Sequence, residues 1–202
     1  MVDRSFASFG IVPAAGCSRR MGRPKLLMRW RDGTVIDAVL NAWRASRVDQ
    51  VVVVVRPEDD ALAAHCQRPG VHVLVPSESP AEMKISVQLA IAHLQKRYQP
   101  SDTDAWLLAP ADLPELSTQL IDHVLAGYQP SAPRIVVPRV RDRRGHPVLF
   151  PWKLASELDQ LGPDEGVSVL VKRHAPVEVD WQDDRMFTDV DTPEDYRRLS
   201  GS

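Results

Sequence analysis

A run of five valines at residues 51–55 constrains the fold of this chain more than any other stretch of its sequence. A continuous run of β-branched residues is typical of a strand that is buried on both faces, as strands are in a parallel sheet covered by helices. Other short apolar runs, which we interpret as further strands, occupy residues 9–15, 71–75, 105–110 and 135–138. Together they predict a large sheet with two covered faces.

Segments with helical spacing of their apolar residues lie between these runs. The helices predicted in this part are residues 34–46, 57–67, 83–97 and 117–127. The inward face of the third is predicted to comprise Ile85, Leu89, Ala92 and Leu94. A less regular final third is predicted to add a strand at 148–150, helices from 152 and near 166–172, and a last helix after 193.

The alternation of strands and helices over the first 140 residues implies right-handed βαβ crossovers. We therefore predict an α/β fold with three αβα layers around a mostly parallel, Rossmann-like sheet. A length of 202 residues fits a single domain, residues 1–202. Because ligands of such sheets bind beyond the carboxyl ends of the strands, functional residues are expected directly after predicted strands.

The composition narrows the possible partners. The formal net charge of −2 gives no support to a nucleic-acid or membrane-surface partner. No apolar run is long enough to span a bilayer, and the polar first ten residues predict no secretory signal. Two cysteines are too few for a disulfide framework. We therefore expect a cytoplasmic protein without nucleic-acid or membrane partners.

The segment after the first predicted strand combines small and basic residues. Ala14, Ala15 and Gly16 allow a ligand to approach the backbone N–H groups closely. Arg20 and Lys25, farther along, place positive charge where a triphosphate would lie. Neither common glycine-rich phosphate motif is present, so ATPase and dinucleotide-binding folds lose support. The alternative interpretation is a surface loop with solvated basic residues.

Carboxylates at two places suit a divalent cation. Asp112 follows the strand predicted at 105–110, and Mg²⁺ usually takes one or two carboxylates beside phosphate oxygens and waters. A turn or helix-end acid is the alternative for Asp112. Asp189 and Asp191 lie two residues apart on an extended segment, so their side chains point the same way. Helix capping explains residues 192–195 but not these two aspartates.

The sequence GHP at residues 145–147 opens the strand predicted at 148–150. Such turns are common, and by itself this one favours a structural role for its histidine. Basic residues precede it at positions 141, 143 and 144. This basic cluster is equally consistent with a site for an acceptor phosphate and with a solvated loop.

Taken together, these segments resemble the motifs of nucleotidyltransferases with a glycosyltransferase-A-like fold, and most closely the molybdenum cofactor cytidylyltransferase branch of the MobA-like NTP transferases. The resemblance rests on AAGCSRRMGRPKLL at 14–27, LLAPADLP at 107–114, RRGHPVLF at 143–150 and FTDVDTPEDY at 187–196. Looser matches are EMKISV at 82–87 and PDEGVS at 163–168. The chain departs from the family pattern at Lys84, Ala111, Arg143 and Ser168.

The resemblance implies transfer of CMP from CTP to the phosphate of a molybdopterin-type cofactor, with release of pyrophosphate and with Mg²⁺ as cofactor. It implies a nucleotide-binding part at about residues 1–115 and an acceptor-side part at about 116–202. The implied catalytic residues are Arg20 and Lys25; the nucleotide-binding residues are Ala14, Ala15, Gly16, Ser18, Arg19 and Ser86; the metal ligands are Asp112, Asp191 and Asp189; the acceptor-binding residues are Gly145 and His146.

Two alternatives stay open at this point. Guanylyltransferases of the family usually carry a second glycine where this chain has Ala15, which favours CTP over GTP. A GTP- or UTP-dependent enzyme for another phosphorylated acceptor is the first alternative. A nucleotide- or cofactor-binding protein without turnover is the second, and the departures at Lys84, Ala111 and Ser168 keep it open. The implied partners are a nucleoside triphosphate and a phosphorylated small molecule, with a molybdoenzyme or its chaperone as a further candidate.

Overall fold

A computed structural model describes residues 6–16, 24–190 and 192–200. Its strands are β1 (Ser8–Pro13), β2 (Arg29–Trp30), β3 (Gly33–Thr34), β4 (Gln50–Val54), β5 (Val71–Leu74), β6 (Ala105–Leu108), β7 (Val136–Val140), β8 (Arg143–Arg144), β9 (Val148–Pro151) and β10 (Val177–Asp180). Its α-helices are α1 (Val35–Ala45), α2 (Asp60–Cys66), α3 (Met83–Tyr98), α4 (Thr118–Ala126), α5 (Ser168–Arg173) and α6 (Pro193–Ser200). Within these residues, no helix is long and apolar enough to cross a membrane.

The main sheet has the strand order β10-β7-β9-β6-β1-β4-β5, and β8 pairs with β7. Strand β1 is parallel to both of its neighbours, β4 and β6, and β5 continues the parallel arrangement. Strand β9 runs antiparallel to β6 and β7, while β10 is parallel to β7. The predicted α/β fold with a mostly parallel sheet is therefore confirmed, with β9 as an antiparallel insertion.

The valine run shows how the sheet separates two layers of helices. Val51, Val53 and Val55 pack into the cluster that includes the apolar faces of α1, α2 and α4. Val52 and Val54 point to the other face, against α3 and the 3₁₀ helix Trp152–Gln160. Because successive strand residues alternate between faces, this one run contributes to both cores. The three-layer arrangement that the run predicts is confirmed.

Strand order places a crevice next to β1. From β1 the chain builds β4 and β5 on one side, and then crosses to β6 on the other side of β1. At such a switch in strand order, the loops leaving the two adjacent parallel strands separate and leave a crevice at their carboxyl ends. The loops concerned here follow β1 and β6, which are the loops that carry residues 14–16 and 110–112.

Helix α3 differs from the prediction in the face that it buries. Leu94 is fully buried as expected, but Ile85 is 36% exposed and Ala92 faces solvent. The inward positions of the first turn are instead Lys84 and Ser86. The physical reason is that this turn lies at the end of the sheet, where it meets polar loops rather than the apolar core.

The final third contains one predicted helix and one strand that the sequence pattern did not show. The helix predicted from residue 152 is present as a 3₁₀ helix over residues 152–160. Strand β10 was not predicted, because its sequence VEVD has too few apolar residues to stand out. It lies at the edge of the sheet and pairs only with β7 among the described strands. An edge strand is buried less than a central strand, so it can carry acidic side chains.

Candidate active site

A cleft of about 200 Å³ opens at the carboxyl ends of β1 and β6. Three stretches form most of its wall: residues 13–16 after β1, residues 80–83 and 86 at the start of α3, and residues 110–112 after β6. Hydrogen bonds continue past the strand ends, since Ala14 N–H donates to the Val54 carbonyl at 2.9 Å and Ala111 N–H donates to that of Pro13 at 3.3 Å. These bonds fix both loops relative to the sheet.

The small residues predicted to contact a nucleotide line this cleft. Ala14 and Ala15 are 3% and 7% exposed, and Gly16 is exposed beside them. A Cβ atom at Gly16 would meet no atom within 4 Å in the part of the chain that the structure describes, so packing against those residues does not require a glycine there. The free space lies where a ligand would approach the loop. Ser86, from the first turn of α3, belongs to the same wall.

Lys25 and Asp112 meet inside the cleft. The Lys25 Nζ atom lies 2.6 Å from Asp112 Oδ2, and the two side chains are 13% and 23% exposed. Lys25 begins the 3₁₀ helix Lys25–Leu27, whose Leu26 is buried in the core and anchors the helix. An ammonium group and a carboxylate are thus held together in a pocket that is large enough for part of a nucleotide. Both residues were candidate site residues on sequence grounds.

The C-terminal aspartate motif approaches the same cleft through the backbone. The N–H group of Val190 donates to the Asp112 carbonyl at 3.1 Å, and the Val190 side chain is fully buried. Asp189, next to it, is exposed. Asp191, Ser18, Arg19 and Arg20 lie outside the described residues, so their predicted roles stay predictions.

The donor chemistry of the cleft fits a hard divalent cation. Asp112 offers carboxylate oxygens, the ligand type that Mg²⁺ prefers, and it already contacts one cationic group, the Lys25 ammonium. Among the described residues, no group of three or more His, Cys, Asp or Glu side chains is arranged to hold a metal. Any Mg²⁺ site here therefore needs phosphate oxygens, water or the undescribed Asp191 in addition to Asp112.

A second pocket, of about 360 Å³, adjoins the first. Met83 lines both pockets. Most of the second wall is apolar, and its polar members are Arg144, His146, Ser168 and Lys172. The predicted acceptor residues Gly145 and His146 therefore lie beside the first cleft.

His146 is held as a neutral ring with a defined tautomer. Its Nδ1 atom lies 3.2 Å from the Leu108 carbonyl, which can only accept, so Nδ1 carries the proton and Nε2 is left as an acceptor. Burial lowers the pKa of His146, while the bond to Leu108 and the charge of Asp112 act in the opposite direction. The ring is thus an uncharged hydrogen-bond acceptor at neutral pH.

Gly145 lies in close contact with the chain that follows Asp183. A Cβ atom there would lie 2.8 Å from Met186 Cε, so that side chain would have to move, and 3.2 Å from Phe187 Cε1, which is a tight contact. The neighbouring Arg143 guanidinium stacks on the Phe187 ring at 4.0 Å. The turn that carries His146 therefore rests on the 3₁₀ helix Asp184–Phe187.

The basic cluster before His146 already has protein partners. Arg144 pairs with Glu178 of β10 at 2.7 Å, and Arg143 stacks as described. Arg141 adopts a positive φ of 52° in the turn between β7 and β8. The stacking favours a structural role for Arg143. Arg144 is paired with Glu178 but also lines the second pocket, so an acceptor phosphate could still reach it.

Lys84 has a role that sequence reasoning missed. Its side chain is only 7% exposed, and its ammonium donates to the Gly162 and Pro163 carbonyls at 2.7 and 3.2 Å. The available signal was its departure from the family pattern, which we interpreted as a possible loss of function. The structure shows instead that it joins α3 to a loop beside the second pocket.

A profile of the MobA-like NTP transferase domain matches residues 10–178. This match includes both pockets, the Lys25–Asp112 pair and every strand of the main sheet. The chain therefore belongs to the MobA-like NTP transferase family, and it is a nucleotidyltransferase. The family and the class of enzyme that the resemblance predicted are confirmed.

Individual relatives extend this similarity over nearly the whole chain. Purine catabolism protein PucB of Bacillus subtilis is 27% identical over 96% of each chain. Molybdenum cofactor cytidylyltransferase of Escherichia coli is 23% identical over 92% of each. The crystal structure of Rv0371c from Mycobacterium tuberculosis is 31% identical with a TM-score of 0.81, covering 98% of this chain and 100% of that one. A second Rv0371c structure, a manganese complex, is 31% identical with a TM-score of 0.78, at coverages of 97% and 99%.

Proposed function

We propose that this nucleotidyltransferase moves CMP from CTP onto the phosphate of a molybdopterin-type cofactor and releases pyrophosphate. The observation that carries the proposal is the pair of adjoining pockets with Met83 in their shared wall. The first contains the Lys25–Asp112 pair and lies at the switch point of the sheet. The second has a mostly apolar wall that also carries the neutral His146 and the basic side chains Arg144 and Lys172. A transferase needs such a pair, because the donor phosphate and the acceptor must meet at their border.

The first pocket suits the triphosphate end of a nucleotide. The small residues Ala14, Ala15 and Gly16 leave their backbone N–H groups open to a ligand. Lys25 supplies a positive charge whose position is fixed by its contact with Asp112. Ala15 keeps a methyl group in the wall where a base would rest, which favours the smaller cytosine over guanine. Arg20 is proposed to add a second cation.

Charge neutralisation is the main chemical task in this reaction. The attacking group is a phosphate oxygen that is already anionic at neutral pH, so positioning and electrostatic stabilisation can supply catalysis without a general base. We propose that Asp112, with Asp191 or Asp189, holds Mg²⁺. A bound Mg²⁺ would neutralise charge on the triphosphate as it develops on the leaving pyrophosphate. A manganese complex of the relative Rv0371c supports a divalent cation in this fold.

The second pocket suits a flat, largely apolar acceptor. Its wall buries apolar area, and the unprotonated Nε2 of His146 accepts one hydrogen bond from a ligand N–H. A pterin ring presents both features. The similarity to molybdenum cofactor cytidylyltransferase supports this choice, and a molybdoenzyme or its chaperone would then be the recipient of the product.

Pyrophosphate release measures this function directly. The purified full chain is incubated with molybdopterin and Mg²⁺, and with CTP, GTP or UTP in parallel reactions. We expect turnover with CTP, and Asp112→Asn should reduce it by on the order of a hundredfold because a preorganised charge is lost. Asp102→Asn removes an exposed carboxylate far from both pockets and serves as the matched control.

Each other outcome assigns a different function. A preference for GTP or UTP would refute the choice of nucleotide. Turnover of CTP with other phosphorylated acceptors but not with molybdopterin would refute the choice of acceptor. Nucleotide binding without pyrophosphate release, across all acceptors tried, would identify a binding protein without turnover.

A further inference from the structure

Lys84 lies between the two pockets with its ammonium group buried. Packing alone does not explain a charged side chain at this position. It belongs to the first turn of α3, between Met83, which lines both pockets, and the buried Ser86 of the first pocket. Only 7% of the residue is exposed. Burying an ammonium group is costly unless hydrogen bonds compensate, so its contacts identify what it does.

Both hydrogen bonds of Lys84 lead to one loop, while its charge also lies near Glu82, which precedes α3 and lines the first pocket. The ammonium donates to the carbonyls of Gly162 at 2.7 Å and Pro163 at 3.2 Å, and the Glu82 carboxylate lies 3.9 Å away. Beyond this loop the chain continues directly into residues 166–168, which form part of the wall of the second pocket. Lys84 therefore connects the helix turn of one pocket to the wall of the other.

The loop is otherwise stabilised within itself. The Glu165 carboxylate accepts the Gly162 N–H at 2.9 Å and is clamped by Arg173 at 2.8 Å. The Glu165 N–H donates back to the Gly162 carbonyl at 3.1 Å. These bonds give the loop its shape, but they join it to α5 and not to α3.

A second side chain of α3 holds the preceding segment. Gln88, one turn along the helix, donates to the Leu158 carbonyl at 2.9 Å. This contact is at the end of the 3₁₀ helix Trp152–Gln160, before the loop begins. The contacts of Lys84 and Gln88 thus fall on separate stretches, and their loss should loosen different parts of the chain.

We propose that Lys84 is a positioning residue, which fixes the loop at residues 162–165 against the first turn of α3. Because this loop leads into the acceptor-pocket wall at residues 166–168, Lys84 would set the acceptor relative to the nucleotide. The assignment of this wall to the acceptor rests on the proposed function. The charge on Lys84 acts on protein carbonyls and not on substrate, so its removal should change acceptor binding more than nucleotide binding or the chemical step.

The experiment compares Lys84→Met, which keeps the length of the side chain, with Lys84→Arg, which keeps donors that reach the same carbonyls. Lys96→Met, an exposed lysine near the end of the same helix, is the matched control. Hydrogen–deuterium exchange of residues 161–168 is measured first. In Lys84→Met these amides should exchange about tenfold faster, the size expected for loss of charge-assisted hydrogen bonds. Residues 152–160 should be unchanged, because Gln88 still holds them.

Steady-state kinetics provides the second measurement. Lys84→Met should raise the acceptor KM about tenfold, with the CTP KM and kcat within about twofold of the wild type, and Lys84→Arg should restore part of the loss. Unchanged exchange at 161–168, or faster exchange with an unchanged acceptor KM, would overturn the proposal. If wild-type protein does not use molybdopterin, the proposed function fails, and the exchange measurement still decides whether Lys84 fixes the loop.

Discussion

Replacing Lys25 by methionine removes a cation that lines the first pocket while keeping most of the side-chain volume. In the structure its Nζ atom lies 2.6 Å from Asp112 Oδ2, with both side chains mostly shielded. At an effective dielectric constant of about 20, unit charges at this distance attract by about 6 kcal/mol before desolvation is subtracted. The same ammonium is available to a triphosphate, whose charge is larger than that of one carboxylate.

Loss of a preorganised charge of this kind typically lowers kcat by about 100- to 1000-fold, and we expect that range for Lys25→Met. The assay is pyrophosphate release at saturating CTP and Mg²⁺. Thermal unfolding is measured in parallel, because loss of a mostly shielded ion pair also lowers stability, and the rates are compared at a temperature at which both proteins are folded.

Arg31→Met is the matched control for this experiment. Arg31 pairs with Glu115 at the same 2.6 Å and joins the same two regions of the chain, but its side chain is 65% exposed and lies outside the pocket. Its loss should leave kcat within about twofold, since an exposed pair contributes little. If Lys25→Met turned over at a rate close to that of the wild type or of Arg31→Met, the role given to Lys25 would be wrong.

Two further predictions concern the turn that carries His146. Gly145→Ala places a Cβ atom 2.8 Å from Met186 Cε, and the melting temperature should fall by about 5 °C through overpacking. The control is Gly166→Ala, where a Cβ atom meets no described atom within 4 Å and the melting temperature should not change. Equal melting temperatures of the two variants would contradict the prediction. Because burial lowers the pKa of His146 in the folded chain, the neutral ring stabilises the fold above the unfolded pKa of about 6.5 and this contribution is lost as the pH falls below it. Urea unfolding at pH 7.5 and 5.5 should therefore show the wild type losing more stability than His146→Gln, and a larger loss in the variant would reverse the assignment.

The fold was largely predictable because its signals are local and repeated. The valine run and its neighbouring helices report burial on both faces of one strand, and the strand order follows from short right-handed crossovers. Strand β10 was missed because half of its residues are acidic, and their partners, Arg139 and Arg144, are distant in sequence. The buried face of α3 was misassigned for a related reason, since Lys84 is buried by carbonyls that no periodicity reveals.

The candidate site was predictable to the extent that its residues directly follow strands. The loops after β1 and β6 met as expected, and with them Lys25 and Asp112. The functional environment of His146 was not predictable, because its tautomer depends on the Leu108 carbonyl of a neighbouring strand. The sequence also gave no sign that Arg143 and Arg144 are engaged by Phe187 and Glu178, which lie more than 30 residues farther along the chain.

A crystal structure with CTP and Mg²⁺ tests the central claim most directly, namely that the cleft at the ends of β1 and β6 binds the nucleotide for transfer. The account predicts the triphosphate against the backbone of residues 14–16 with Lys25 in contact, the cytosine base beside Ala15, and the metal on Asp112. A nucleotide bound elsewhere, or one bound in this cleft with Asp112 remote from both metal and phosphate, would contradict it.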